Sequence, residues 1–334
     1  MALLACVVFP AHAQKDNRDV SIPLDHFYVE RQGPGIFRRM LSKLTFGLST
    51  GYGSSSFRHT FNGWVLYQPA AGNPVLYNPA NPTQAYTNWF NRVASAPLAI
   101  NPADFQVNSD TAAVGFKSRA FHIPLRATVH VEFASRYRIG GGYAVEYTHA
   151  SDFKPTNYAA SIRPFSPAVS GFLLKKYFVL AGVSFYRYDN YLFSAELNFG
   201  GFSLGSQFDN ASVKKSMLIN LALPVERELS EYFRVFIRPS FEIRNFTLNV
   251  PEESRSVRHR FNAFYLNIGA TYRIPELPRC FEPKCRAQIN HAHGNREYRS
   301  RVHPIWKKQN PHYGENYPNL IRYKGKNKRK LNPY

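Results

Sequence analysis

Two cysteines and several histidines in residues 275–334 could bind a metal or cross-link the chain. Cys280 and Cys285 are separated by four residues, and four histidines follow them, namely His291, His293, His303 and His312. Thiolate and imidazole ligands suit zinc, but the spacing matches no strong zinc-finger pattern. In an exported chain a disulfide is the simpler outcome. We therefore predict a Cys280–Cys285 disulfide, with a Cys2His2 zinc site and free or intermolecular thiols as the alternatives.

No specific catalytic motif is evident in the sequence. It contains no H-E-x-x-H and no phosphate-binding loop. Ser54 to Ser56 and His59 could form the nucleophile and base of a lipid hydrolase at a barrel rim, but nothing in the sequence positions one against the other. We therefore predict a protein that is not an enzyme, with no catalytic residue, no cofactor and no assigned metal ligand.

Charged residues of both signs recur on the polar face of segments that alternate between apolar and polar residues. In a narrow β-barrel these side chains would point inward and fill the interior. We expect them to form an internal salt-bridge network. The predicted interior charges are Arg126, Glu132, Arg138, Glu146, Glu196, Arg234, Arg238, Glu242 and Arg244.

Eight segments with period-two alternation would position these charges. Helical periodicity is weak, whereas alternation of the kind shown by a half-exposed strand recurs along the chain. It is clearest where Phe121, Ile123 and Leu125 alternate with His122 and Arg126. The predicted strands are about 43–53, 119–133, 137–149, 172–187, 191–205, 213–223, 232–246 and 261–274. Pro239 interrupts the seventh and removes one ladder hydrogen bond.

The lengths of the connections also suggest a barrel. Short links at 134–136, 188–190 and 224–231 alternate with longer ones at 54–118, 150–171 and 247–260, as in outer-membrane barrels. We predict an all-β fold, an antiparallel transmembrane β-barrel over 41–275 with eight strands. Ten strands are the alternative, because Gly63 to Tyr67 in the first long link could add a hairpin.

A soluble β-sandwich or lipocalin-like barrel would show the same alternation with its apolar face buried. Three features favour the membrane version. Several patterns exceed the usual strand length of about 5–6 residues, aromatic residues lie near strand ends, and the polar face carries opposite charges. The mean hydropathy of −0.36 is compatible with a barrel, because lipid-facing residues alternate with polar ones.

The N-terminus has features of an export signal. An apolar run from Ala2 to Phe9 precedes Ala11-His12-Ala13, which fits a signal-peptidase site. We predict a signal peptide over 1–13 and a periplasmic segment over 14–40. The alternative is lipidation at Cys6, since Leu3-Leu4-Ala5-Cys6 resembles a lipoprotein box.

Residues 276–334 differ in composition from the barrel region. Residues 275–334 contain fourteen Lys and Arg against four Asp and Glu, a net +10 out of +20 for the whole chain. Export argues against nucleic acid, so we predict an irregular basic periplasmic tail that docks on a periplasmic protein or the cell wall. A solvated disordered tail is the alternative. The predicted docking residues are Trp306, Tyr313, Tyr317, Tyr323, Lys324, Lys326, Lys328, Arg329 and Lys330.

The chain resembles outer-membrane β-barrel proteins of the Bacteroidota. The resemblance is carried by Ala11-His12-Ala13-Gln14, by the tyrosine-rich strands and by Tyr272-Arg273-Ile274-Pro275. It implies an outer-membrane location in contact with lipid and allows a link to gliding or type IX secretion machinery. We expect a structural anchor or envelope-complex component. A small channel or transport-associated barrel is the first alternative, and a rim-sited lipid-modifying enzyme is the second.

Overall fold

The computed structural model describes residues 35–134, 136–250, 253, 255–309 and 321–322. The predicted signal peptide, 1–13, and most of the predicted periplasmic segment, 14–40, lie outside these residues. One short helix, α1 (Ile36–Leu41), precedes a chain that is otherwise built from strands. No helix in the described ranges is both long and apolar enough to cross a membrane.

Twenty strands follow one another along the described chain. They are β1 (Leu44–Phe61), β2 (Val65–Gln68), β3 (Val75–Asn78), β4 (Asn81–Asn88), β5 (Ala94–Pro97), β6 (Phe105–Asn108), β7 (Gly115–Phe133), β8 (Tyr137–Ala150), β9 (Lys154–Pro155), β10 (Gly171–Tyr188), β11 (Tyr191–Leu204), β12 (Val213–Lys215), β13 (Leu218–Ala222), β14 (Val225–Glu228), β15 (Phe233–Ile243), β16 (Asn245–Asn249), β17 (Ser256–Arg273), β18 (His291–His293), β19 (Arg296–Tyr298) and β20 (Ile321–Arg322).

The long strands close into an antiparallel ring. β1 pairs with β7 on one side and with β17 on the other, so the sheet returns to its first strand. Between them the order is β7, β8, β10 and β11, then the interrupted span β12–β13–β14, and then β15–β16 beside β17. The described ring therefore has eight positions, and the fold is an antiparallel β-barrel.

Pro239 does not interrupt its strand as predicted, whereas Pro224 interrupts the neighbouring strand. β15 runs without interruption through Pro239, which lies opposite Leu266, and the Pro239 carbonyl accepts a hydrogen bond from the Leu223 amide. The break falls instead on the neighbouring span, where β13 ends before Leu223 and Pro224, and β14 begins after them. Proline has no amide hydrogen to give, so Pro224 interrupts the ladder there.

The two ends of the barrel differ in their connections. The short-turn rim carries the turns at 134–136, 189–190 and 229–232, and the long-loop end carries 62–114, 151–170, 205–212 and 250–255. The predicted link 224–231 is therefore wrong, because β14 occupies half of it and the turn begins only at residue 229. The hairpin proposed around Gly63 to Tyr67 does not join the ring. It belongs to a separate sheet with the order β5-β4-β3-β2-β6.

In the part of the barrel that holds the charged side chains, the inner face is polar and the outer face is apolar, the reverse of a soluble sandwich. Leu125 is 57% exposed whereas its neighbour Arg126 is 8% exposed. An apolar belt follows the outer face, formed by Leu48, Ile123, Leu125, Val129, Ile139, Val179, Leu197, Phe199, Leu221, Ile237, Phe241, Phe264, Leu266 and Ile268. So large an exposed apolar surface is stable only against lipid or another apolar partner. Its continuity around the ring indicates a transmembrane barrel.

Several strands are longer than a membrane crossing requires. The part of the barrel that they form beyond this length has an apolar interior. β1 has 18 residues, whereas about 9–11 suffice to cross a bilayer. Towards the long-loop end the barrel is filled by an aromatic plug, formed by Phe57, Phe61, Trp64, Trp89, Phe90, Phe116, Phe153, Phe165, Phe172, Phe208, Phe246 and Phe261. Several of these residues lie in the loops, and Leu66, Leu76 and Tyr86 of β2, β3 and β4 belong to the same cluster.

The C-terminal extension packs against the short-turn rim as far as it is described. Ser230 Oγ donates to the Ile305 carbonyl at 2.5 Å, and the Gln309 amide donates to Glu231 at 3.1 Å. On α1, the Arg38 guanidinium donates to the carbonyl oxygens of residues 275–277. The segment 275–309 contains the hairpin β18–β19 and is otherwise irregular. Beyond it, β20 pairs in parallel with β10.

Candidate functional site

Glu146 on β8 lies at the centre of one half of a buried charge network. Its carboxylate is fully buried and accepts from Lys176 Nζ at 2.5 Å and from Arg244 Nη1 at 2.9 Å. The Tyr265 hydroxyl donates to it at 2.9 Å. Lys176 and Arg244 also contact Glu242, at 2.6 and 3.0 Å. Two cations and two carboxylates therefore neutralise one another away from water.

Glu132 on β7 is the centre of the other half, nearer the short-turn rim. It accepts from Arg234 at 2.6 Å, from Arg273 at 2.9 Å and from Arg138 Nε at 3.3 Å. Arg138 also forms a bidentate pair with Glu226. Because each carboxylate faces several guanidinium groups, loss of one acid would leave more than one buried cation poorly compensated.

The nine predicted interior charges all lie in this lumen. Arg238 pairs with Glu196 at 2.9 Å, and the guanidinium of Arg126 lies 4.6 Å from the Phe178 ring centre and 3.3 Å from Asn198. Sequence reasoning missed further members of the network, which are Lys176, Arg187, Glu226, Glu228 and Arg273.

For two of the missed residues, the sequence shows why they were not predicted. Lys176 shares its inward face with Phe178, Leu180 and Gly182, so the strand has little polar alternation. Glu226 lies in what was expected to be a turn. Phe178 occupies the space opposite Gly142, where an added Cβ would lie 2.6 Å from the ring. The lack of a side chain at Gly142 therefore allows the Phe178 ring to pack closely against β8.

The lumen leaves little free volume. A cavity of about 30 Å³ lies among Arg126, Glu146, Lys176 and Arg238, and another of about 20 Å³ among Arg138, Glu196 and Glu226. A cavity needs roughly 10–15 Å³ to hold one water molecule, so each has room for about one to three of them. Among the described residues, the charged side chains and, towards the long-loop end, the aromatic plug fill the barrel along its axis.

Ser55, His122 and Glu146 form a hydrogen-bonded chain with the arrangement of a Ser–His–acid triad. Ser55 Oγ lies 2.7 Å from His122 Nε2, and His122 Nδ1 lies 2.9 Å from Glu146 Oε1. His122 is fully buried and Ser55 is 4% exposed, so a substrate cannot reach the hydroxyl. The expected partner His59 lies elsewhere, in the plug, where it accepts from Trp89. The arrangement therefore serves the lumen network.

Outside the barrel, Cys280, Cys285, His291 and His293 converge on one point. One ligand atom from each lies within 4.8 Å of those of the other three. Cys280 Sγ is 3.3 Å from His293 Nε2, and Cys285 Sγ is 3.2 Å from His291 Nε2. We call these four residues the Cys2His2 cluster.

The two thiols are not bonded to each other in the structure, in contrast to the predicted disulfide. Burial is the main factor that raises the pKa of Cys280, and the adjacent Cys285 raises it further. His303 does not belong to the cluster, and His312 lies outside the described residues.

Most of the predicted docking residues also lie outside the described residues. Trp306 is described, and its side chain is 58% exposed. Tyr313, Tyr317 and the residues from Tyr323 to Lys330 are not described, so their docking role stays a prediction.

A row of cations crosses the outer face towards the long-loop end. Arg58 on β1 lies directly opposite Lys117 on β7 and Arg260 on β17, and Lys117 lies opposite Lys154 on β9. All four side chains are exposed. Like charges directly opposite one another are destabilising in a sheet, so this row has a cost in stability.

No protein-family model matches the chain, and neither does any curated protein. Among solved structures it is similar to the outer-membrane protease OmpT from Escherichia coli, with 10% identity, a TM-score of 0.31, and coverage of 69% of this chain and 96% of that chain. The outer-membrane protein OprG from Pseudomonas aeruginosa has 9% identity, a TM-score of 0.32 and coverage of 73% and 98%. The beta domain of the Bordetella autotransporter BrkA has 8% identity, a TM-score of 0.25 and coverage of 68% and 98%. At these identities the likeness concerns the fold alone.

Proposed function

We propose that the protein is an outer-membrane structural anchor whose C-terminal extension docks on an anionic partner in the periplasm, the cell wall or an acidic protein surface. The observation that carries this proposal is the filled lumen. The charge network occupies one half of the barrel and the aromatic plug the other. A barrel whose lumen is filled in both halves leaves no path for a solute, which favours an anchoring role over transport.

The apolar belt supports the membrane part of the proposal, and the extension supports the docking part. Residues 275–309 contact the short-turn rim through Ser230, Glu231 and Arg38, so the remaining basic residues begin from a fixed place. Even-stranded barrels place both termini at the periplasmic rim, where cell wall and protein surfaces offer anionic groups. The proposed link to gliding or type IX secretion machinery is one form this anchoring would take.

Conductance in a planar bilayer tests the anchor against the channel alternative. We expect the purified full-length protein to give no stable current steps, because the Glu146 and Glu132 clusters and the plug leave only water-sized cavities. Reproducible ohmic steps from correctly folded, heat-modifiable protein would contradict the anchor and favour a channel.

Co-sedimentation with purified cell-wall sacculi tests the docking part. In one variant Lys324, Lys326, Lys328, Arg329 and Lys330 are all changed to Gln. The matched control removes five cations from the long-loop end, at Arg58, Lys117, Lys154, Arg258 and Arg260. Each cation near an anionic surface contributes up to about 1 kcal/mol, so loss of five could weaken binding by as much as about 5 kcal/mol; we expect the tail variant to bind at least about tenfold more weakly, which needs only about 1.4 kcal/mol. Equal binding by the tail variant and wild type would contradict cell-wall docking.

An acidic protein partner would be revealed by the same pair of variants. Cross-linking in cells followed by identification of the linked protein would show a partner lost from the tail variant and kept by the control. If neither sacculi nor a cross-linked protein distinguishes the two variants, the docking proposal is wrong.

A further inference from the structure

We propose that Cys280, Cys285, His291 and His293 bind one zinc ion, which holds the first part of the C-terminal extension in its fold. This inference does not depend on the anchor function, because it concerns only the chemistry and placement of the four side chains.

The geometry of the Cys2His2 cluster fits a tetrahedral zinc site. Zinc binds sulfur at about 2.3 Å and imidazole nitrogen at about 2.0–2.1 Å, which places sulfur and nitrogen ligands about 3.6 Å apart. The two thiol–imidazole distances are 3.3 and 3.2 Å, and all four ligand atoms lie within 4.8 Å of one another. A small outward movement of each side chain would accommodate the ion.

The local fold explains why these four residues meet. His291 and His293 are two residues apart on β18, so their side chains share a face. Gly294, with φ of 61°, allows the tight turn that brings β19 back beside β18. Cys280 is held near the hairpin by its amide, which donates to the Arg299 carbonyl at 3.0 Å.

One histidine is already oriented for metal binding. His291 Nδ1 lies 3.0 Å from the Ile289 carbonyl, to which it can donate a hydrogen bond. That bond leaves Nε2, the atom facing Cys285, free to bind a metal. Metal-binding histidines commonly use their second ring nitrogen in this way.

The extension has little else to hold it together. Within 276–309 only Cys280, Ser300 and Gln309 are buried in the described structure. So small an apolar core cannot offset the loss of conformational entropy on folding, and segments of this kind usually rely on a metal or a disulfide. A zinc ion bound by two thiolates and two imidazoles would supply this stabilisation.

The donor set selects the metal. Two sulfur and two nitrogen ligands suit zinc, whereas magnesium and calcium prefer oxygen, and no carboxylate belongs to the cluster. The set supplies four ligands and leaves no open position, which is the property of a structural site. We therefore assign it a structural role.

Metal analysis of the full-length protein in detergent tests the site. Protein purified with zinc supplied and then dialysed should contain about one zinc per chain. Cys285→Ser and His291→Ala should each lower the zinc content to about background. His303→Ala is the matched control, a histidine of the same extension outside the cluster, and should retain the metal. Heat-modifiable gel mobility establishes that each variant barrel is folded.

Limited proteolysis provides a readout independent of metal content. A zinc chelator should accelerate cleavage within residues 276–309 of the wild type at least about tenfold, and should leave cleavage of Cys285→Ser unchanged. Zinc-free wild-type protein whose mass is lower by two hydrogens and whose thiols do not react would establish a disulfide and overturn the proposal. Preferential binding of another metal, or retention of zinc by both cluster variants, would also overturn it.

Discussion

Replacement of Glu146 by Gln should destabilise the barrel strongly although it removes no volume. In the wild type, Lys176 and Arg244 face two carboxylates, Glu146 and Glu242. The variant leaves two buried cations with one carboxylate. Removing one partner of a buried ion pair costs about 3–5 kcal/mol, and we expect about 3 because Gln retains one acceptor oxygen. This is a large fraction of a typical folding free energy of about 5–15 kcal/mol.

The assay is urea unfolding in lipid vesicles, followed by tryptophan fluorescence and by heat-modifiable gel mobility. Asp152→Asn removes one carboxylate from an exposed loop position and should change stability by less than about 0.5 kcal/mol. The double variant Glu146→Gln with Lys176→Met removes one charge of each sign. It should recover most of the lost stability, because replacing both partners restores the balance.

The result that would refute this reasoning is also specific. If Glu146→Gln unfolds within about 0.5 kcal/mol of the wild type, the carboxylate is not an essential counter-charge. If the double variant is less stable than Glu146→Gln alone, charge balance is not what the network provides.

Three further outcomes follow from other parts of the molecule. Phe90→Ala should cost about 3–5 kcal/mol in urea unfolding, because Phe90 is fully buried in the plug; a loss below about 1 kcal/mol would contradict a tightly packed plug. Ser55→Ala should cost about 1 kcal/mol or more, because it leaves the buried His122 Nε2 with only the 3.4 Å contact from Arg244, and the wild type should not react with a serine-directed fluorophosphonate; labelling at Ser55 would contradict the inaccessible triad. Arg58→Glu should raise stability by about 0.5 kcal/mol, because it places an acid between Lys117 and Arg260; a lower unfolding midpoint would show that the cation row is not strained.

The sequence was most informative where a strand alternates cleanly. On β7, apolar Ile123 and Leu125 alternate with polar His122 and Arg126, and the structure places the first pair outside and the second inside. The pattern failed where the interior itself is apolar. The plug residues Phe57 and Phe116 face inward on strands that extend beyond the membrane, and period-two alternation alone does not distinguish the two environments.

The Cys2His2 cluster illustrates a different limit. Its spacing along the chain resembles no common zinc motif, because one pair of ligands comes from an irregular segment and the other from the hairpin β18–β19. Only the three-dimensional path of residues 280–293 brings Cys280 and His293 to 3.3 Å. The preference for a disulfide followed from the expected compartment, whereas the histidine contacts depend on the fold.

The most direct test of the central claim, a barrel whose apolar outer face contacts lipid, is the cost of one arginine on that face. Ile268 is 57% exposed and lies midway along the apolar stretch of β17 between Phe264 and Tyr272. In vesicles, Ile268→Arg should lower the unfolding free energy by about 2–4 kcal/mol, as arginine does near a bilayer midplane. Asn249→Arg, an exposed position on β16 near the long-loop end, should change it by less than about 1 kcal/mol. Equal, negligible effects from both variants would mean that Ile268 faces water, and would contradict the transmembrane barrel.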